Sequence, residues 1–310
     1  MKEFLRDVHA DVGATAAQSA TNVWMLRVVA ELRASQGDMT AATALRAEAD
    51  SLLGELVARL FVPSKTGGAV TGGYYGCLYE NASSTLVETR TIHDYFYVGM
   101  CGCGWPAASC RLPHAVQADM QAFARRELKT RDWMRAVSPH DPLRYVGRAD
   151  QGTTGAFSSW PAYAAESTGA MGNWSGALSM FSDFAHAARE GPWGQGREVW
   201  QEPAPHFAPH DDVPAFKTAR GSLRYVEEGG GSFADVALRA FFGFAPPIVW
   251  AKEGSTQELL DATLWRASEG RGFDGVLTGL RTPLGLATIT SHAERGLSIT
   301  LERASPGERG

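Results

Sequence analysis

No run of about 18 apolar residues occurs anywhere in the chain, so no membrane-spanning helix and no membrane partner are expected. Lysine and arginine never gather into a block, and the net charge is -5. A nucleic-acid groove needs clustered cations to displace counterions from phosphate, so nucleic acid is not expected as a partner. Cysteine is scarce, with four residues: Cys77, Cys101, Cys103 and Cys110. They lack paired CxxC knuckles and a regular histidine spacing, so no zinc or other metal site is expected and reduced structural thiols are. No cofactor is expected either. The first residues, Met1-Lys2-Glu3-Phe4-Leu5-Arg6-Asp7, place acidic groups where a signal peptide has its apolar stretch, and a cytoplasmic location is the expectation.

What is present fits a soluble globular protein: 310 residues, 44% hydrophobic and 20% charged. That length suits one large domain, or one with a small companion. Tryptophan and tyrosine are plentiful, at nine and eight. Such residues serve core packing at most positions, and as a set they also suit a cleft that stacks sugar rings.

Periodicity predicts two helical hairpins. Val23 to Arg33 is rich in apolar helix formers, and Gly37-Asp38 breaks and recaps the chain. The next helix puts Leu45, Ala49, Leu52, Leu53, Leu56 and Leu60 on one face and ends before Pro63. Trp160 to Ala170 then leads into Gly172-Asn173 and a helix striped by Trp174, Ala177, Leu178, Phe181, Phe184, Ala185 and Ala188. The two turns are similar, which suggests stacked α-hairpins that need neighbours to bury their apolar faces. Between them, Tyr75, Cys77 and Tyr79 alternate and Leu86 to Thr89 is placed to pair back as a β-hairpin. Further helices are expected near His93 and from Pro113, the latter with Val116, Met120, Phe123, Ala124 and Leu128 on one face. A short helix follows Ser232, and Val276–Leu280, Leu286–Thr290 and Leu297–Leu301 read as strands.

Several loops combine carboxylates, aromatics and glycine. Arg148-Ala149-Asp150-Gln151-Gly152 leads towards Phe157 and Trp160; Arg148 and Asp150 are suited to clamping hydroxyls and Trp160 to stacking on a ring. Gly191-Pro192-Trp193-Gly194-Gln195-Gly196-Arg197-Glu198-Val199-Trp200 sets two indoles around Gln195 and Glu198, and its glycines permit close backbone approach to a ligand. Glu227-Glu228-Gly229-Gly230-Gly231 sets adjacent carboxylates at a Gly-rich helix entry, where one raises the pKa of the other. His93-Asp94-Tyr95 either orients a hydroxyl or forms a satisfied buried pair. Trp133 and Ser138-Pro139-His140-Asp141 lie in another polar, aromatic loop.

Taken in order, four segments resemble the second half of bacterial six-hairpin glycosidases, the broad group around trehalase, glucosidase I and α-L-rhamnosidase-like proteins. They are Trp133-Met134-Arg135-Ala136 with Ser138-Pro139-His140-Asp141; Arg148-x-Asp150 with Gly155 and Trp160-Pro161-Ala162; Gly191-Pro192-Trp193-Gly194-Gln195; and Gly230-Gly231-Ser232-Phe233. The resemblance spans roughly residues 14–245. It implies a mainly α fold: an incomplete α/α toroid over residues 1–250 and a small antiparallel β segment over 251–310. It also implies carboxylate acid/base chemistry on a glycosidic bond, with inversion. Trehalase-like members carry a general-acid Asp in the first half of the barrel and a base Glu in a Gly-rich loop before the last helix. Glu227 or Glu228 matches the latter by context. No segment before Asp11 holds the former, so the chain is expected to lack its catalytic acid and part of its cleft.

The leading expectation is therefore a glycoside hydrolase-like protein, truncated or split, with a carbohydrate substrate. Glu227 and Glu198 are the base candidates and Asp150 is a cleft residue or alternative acid. Arg148, Trp160, Trp193, Gln195, Trp133 and His93 would bind substrate. A non-catalytic carbohydrate-binding remnant is the second reading. A sugar isomerase or epimerase on a similar toroid is the third, using His93 or His140 with a glutamate for proton transfer. An incomplete ring should also expose an apolar face, and self-association or a second chain completing the toroid is expected.

Overall fold

The computed structural model describes residues 12–65, 68, 70, 72–79, 86–104, 106–107, 109–129, 134–135, 137–141, 160–188, 232–242, 274–282, 285–292 and 294–302. Within them the chain is mainly helical, with a small three-stranded antiparallel sheet near the C-terminus. The order is β1 (Val12–Thr15), α1 (Ala16–Ser35), α2 (Met39–Leu60), β2 (Phe61–Val62), β3 (Tyr74–Tyr79), β4 (Leu86–Glu88), α3 (Ile92–Cys103) and α4 (His114–Phe123). The last of these runs on as a π-helical turn, Ala124–Leu128. After them come α5 (Trp160–Ala170), α6 (Trp174–Ala188), α7 (232–236, continuing as π-helical Ala237–Phe241), β5 (Gly275–Thr282), β6 (Gly285–His292) and β7 (Gly296–Glu302).

Both expected hairpins form, and they use the same turn twice. At the end of α1 the Gly37 N–H donates to the Ala34 carbonyl and the Asp38 N–H to that of Arg33. At the end of α5 the Gly172 N–H donates to Gly169 and the Asn173 N–H to Thr168. This is the Schellman pattern, which needs a left-handed residue; Gly37 and Gly172 supply it at φ +84 and +89. Asp38 and Asn173 then cap the next helix, accepting from the Ala41 and Gly176 N–H groups at 3.0 Å each. The similarity read between Gly-Asp and Gly-Asn is a repeated stop-and-restart device.

The helices sort into a central row and an outer layer. Ala17 at the start of α1 meets Asp94 at the start of α3, and Arg27 further along α1 donates to the Cys101 carbonyl near the end of α3. These two helices are therefore parallel. His93 at the start of α3 meets Trp160 at the start of α5, and Gly99 further along lies against Ser167, so α5 runs parallel to α3 as well. The approach of α3 to α5 is close because Gly99 lacks a side chain; a Cβ there would collide with Ser167 Oγ. Composition explains the placement. Every residue of α5 except Tyr163 is buried, among them the small Ala162, Ala164, Ala165, Ser167, Gly169 and Ala170. A helix buried all round belongs inside. By contrast α2 buries only one face, Ala42, Ala49, Leu53, Leu56 and Leu60, against α1. Between the two hairpins lies α3, in contact with both α1 and α5.

The hairpin β3–β4 forms as expected, pairing Cys77 with Val87. It belongs to a four-stranded sheet whose other members, β1 and β2, both pair with β3. In the C-terminal sheet β6 pairs with both neighbours, and Ala287, Ile289 and Ser291 are buried along one face of β6. Cys103 is joined to Cys110 in a disulfide, and Cys101 is a buried free thiol, which corrects the expectation of reduced thiols for that pair. The expected broad apolar face is also not seen among the described residues. Their exposed large hydrophobics, Met25, Met39, Leu86, Val276 and Leu286, sit on five different elements. None of the described helices is long and apolar enough to cross a membrane.

Candidate functional site

Parallel packing brings the N-termini of α1, α3 and α5 to one end of the row, and polar side chains collect there. Thr15 and Thr91 cap α1 and α3 by accepting from the Gln18 and Asp94 N–H groups. The buried Asp94 carboxylate accepts from the Ala17 N–H at 3.1 Å and from the Thr91 and Thr89 hydroxyls at 3.0 and 3.3 Å. Burial pushes its pKa up to about 7 in spite of those bonds. Asp94 therefore ties α1 to α3, and the hydroxyls it orients are the protein's own.

Two of the residues expected to bind substrate meet at this end. The rings of His93, in the first turn of α3, and Trp160, at the start of α5, have centroids 3.7 Å apart. Phe96 and Tyr97 complete an aromatic wall around the imidazole. Burial lowers the His93 pKa to about 3, so the ring is neutral near pH 7. The other residues expected at the site, Asp150, Glu198, Glu227, Arg148, Trp193, Gln195 and Trp133, lie outside the described residues.

Two clusters that the sequence did not single out as charged sites lie at the same end. In the first, Tyr74 O–H donates to Glu88 Oε2 at 2.5 Å and Arg90 Nη2 donates to the same oxygen at 2.5 Å. The guanidinium also lies over the Tyr74 ring. The Tyr74 hydrogen bond, and after it the Arg90 charge, holds the Glu88 carboxyl below its ordinary range, while burial raises Tyr74. Glu88 is thus a fixed carboxylate whose side chain is 35% exposed, within reach of a ligand. Its signal was legible: Glu88 and Arg90 are two apart in an extended stretch and share a side.

In the second, Glu127 from the π-helical turn accepts from Ser138 Oγ at 2.7 Å and pairs with His140 Nδ1 at 2.8 Å. Arg90 joins the clusters, since its backbone N–H donates to Asp141 and its guanidinium to the His140 carbonyl. Ser138-Pro139-His140-Asp141 reads as a polar loop in the sequence, but a glutamate amid Ala124 and Leu128 gives no outward sign of being its buried partner. No grouping of histidine, cysteine and carboxylate among the described residues is suited to hold a metal ion.

No protein-family model matches this chain, and no curated protein does. Among solved structures, a sialidase is similar in fold, with a TM-score of 0.52 at 12% identity. The match covers 92% of this chain and 24% of the sialidase chain, so the chain spans about a quarter of that protein's length. At this identity the likeness speaks to fold alone.

Proposed function

We propose that the chain is a glycosidase-like domain that binds a carbohydrate at the common N-terminal end of α1, α3 and α5 and acts on a glycosidic bond there. The observation that carries the reading is that the half-buried His93 and Tyr97 rings and the fixed Glu88–Arg90 pair lie at one end of a parallel helix row. Aromatic faces suit the apolar side of a sugar ring, and a pinned carboxylate and guanidinium suit its hydroxyls. The fold likeness to a sialidase supports it, as does the resemblance to six-hairpin glycosidases. In this reading α1, α3 and α5 are inner helices of an α/α toroid, α2 and α6 are outer ones, residues 1–250 form that domain and 251–310 a β appendage. Asp150, Glu198 and Glu227 are carboxylate candidates for acid/base work, with Arg148, Trp133, Trp193 and Gln195 extending the cleft.

The test is a panel of aryl glycosides. The wild-type chain is expected to turn over at least one. Glu88→Gln should raise its KM about tenfold or more, since a hydrogen bond to a charged group contributes about 1.5–3 kcal/mol, with the melting profile retained. Unchanged KM would remove Glu88 from the site. Sugar binding without turnover in the panel would favour the non-catalytic reading. Hydrolysis that survives loss of both Glu198 and Glu227 would place the proton-accepting group elsewhere.

A further inference from the structure

We propose that His140 is the proton-accepting group of this site, with Glu127 and Ser138 as its positioning residues. The inference rests on the function proposed above and deepens it by choosing one base in place of Glu198 or Glu227.

The imidazole is held at three points. Its backbone N–H donates to Ser138 Oγ at 3.0 Å, its carbonyl accepts from Arg90, and its Nδ1 meets Glu127 Oε2 at 2.8 Å. The same Glu127 oxygen accepts the Ser138 hydroxyl at 2.7 Å. An ionised carboxylate is an acceptor only, so Nδ1 carries the proton and the lone pair is on Nε2. Among the described residues Nε2 has no hydrogen-bond partner. The positions of the two side chains suit this division of labour: Glu127 is 5% exposed and His140 is 43% exposed. A buried carboxylate orients the ring and balances the charge it gains, while the other nitrogen faces outward, the logic by which an acidic residue supports a catalytic histidine elsewhere.

The charged groups around the ring are consistent with the role. Glu127 Oε2 lies against Nδ1, while the Arg90 and Arg135 guanidiniums reach the backbone carbonyls of His140 and Glu127. Asp141 is engaged with the Arg90 backbone N–H at 2.5 Å. In the reaction Nε2 takes a proton from water as the water oxygen attacks the anomeric carbon. The bond to the leaving oxygen breaks, and that oxygen takes a proton from solvent. The imidazolium then returns its proton to solvent, so atoms and charge balance.

The experiment uses the full chain labelled with 15N. At pH 8, long-range 1H–15N spectra should show His140 protonated at Nδ1 and bare at Nε2, and titration with the sugar of a turned-over glycoside should move the Nε2 resonance. In kinetics, His140→Gln should lower kcat about 100-fold with KM near the wild-type value. Glu127→Gln should lower kcat with KM near the wild-type value and should lose the fixed Nδ1–H tautomer in the long-range spectrum, since Glu127 Oε2 is what holds Nδ1 at 2.8 Å; a merely structural role would not move the tautomer. An Nε2–H tautomer, or kcat preserved in His140→Gln, overturns the proposal. The expected tautomer with an Nε2 response to sugar but no turnover keeps His140 at the site and sinks the hydrolase reading. No response and no turnover with any sugar sinks both.

Discussion

Arg239→Met should lower the unfolding free energy by about 3–5 kcal/mol, the usual cost of stranding one member of a buried ion pair. The carboxylate of Glu166, on the fully packed α5, is 3% exposed and pairs through Oε1 with Arg239 of α7. Among the described residues its Oε2 has no hydrogen-bond partner. Burial already raises the Glu166 pKa to about 7, with the Arg239 charge opposing that rise. Without Arg239 the carboxylate must either lie unpaired in the interior or take a proton, and α7 loses its polar tie to the central row. Asp235, which bonds Arg239 at 2.7 Å, is half exposed and is left solvated. The double variant Glu166→Leu with Arg239→Met should recover most of the loss, because an apolar pair asks for no desolvation of charge. Denaturant unfolding of the two variants decides this. A single-variant cost under about 1 kcal/mol, the range of an exposed pair, would show that the pair is not buried as described.

A second large effect is expected from acid. Burial puts His93 at about 3 in the folded chain, against an ordinary 6.5. The folded state therefore binds fewer protons than the unfolded chain between those values. The contribution of neutral His93 is fully present above 6.5 and is lost as pH falls towards 3. Asp94 and Glu166 act in the opposite sense. Both are raised to about 7, so their contribution is largest below the ordinary carboxylate range and fades as pH rises towards 7. The wild-type profile is a difference between these effects, and His93→Asn isolates the first. Between pH 7 and pH 4 the stability of this variant relative to wild type should rise by about 3 kcal/mol, the linkage integral for one such group. A difference that stays constant with pH would show that the imidazole protonates as freely in the folded chain as in the unfolded one.

The sequence carried local structure well and tertiary order poorly, for identifiable reasons. Gly37-Asp38 and Gly172-Asn173 signal their turns because a left-handed glycine followed by a capping side chain has few other uses. The strands near residues 276, 288 and 299 are legible because the C-terminal sheet alternates apolar and polar residues. Strands β1 and β2 were missed; four and two residues are too few for a period to register. The wedging of α3 between the hairpins depends on Gly99 meeting Ser167, a contact between residues far apart in sequence. The Cys103–Cys110 disulfide likewise follows from the path of the chain after α3 and from no spacing rule. At the site, His93 and Trp160 were selected as chemical types and the parallel packing brings them together. Glu127 was not selected, since burial is what makes a glutamate informative and burial is not written in its neighbours.

Carbohydrate binding at the N-terminal end of the helix row is tested most directly by hydrogen–deuterium exchange of the full chain with and without a saturating glycan, chosen from the panel by turnover or binding. Protection should appear in the segments around Glu88–Phe96, Val137–Asp141 and Trp160–Tyr163, while the turns at Gly37 and Gly172, at the other ends of α1 and α5, exchange as before. Protection confined to those turns or to the β5–β7 sheet, with the Glu88, His93, His140 and Trp160 segments unchanged, would contradict it.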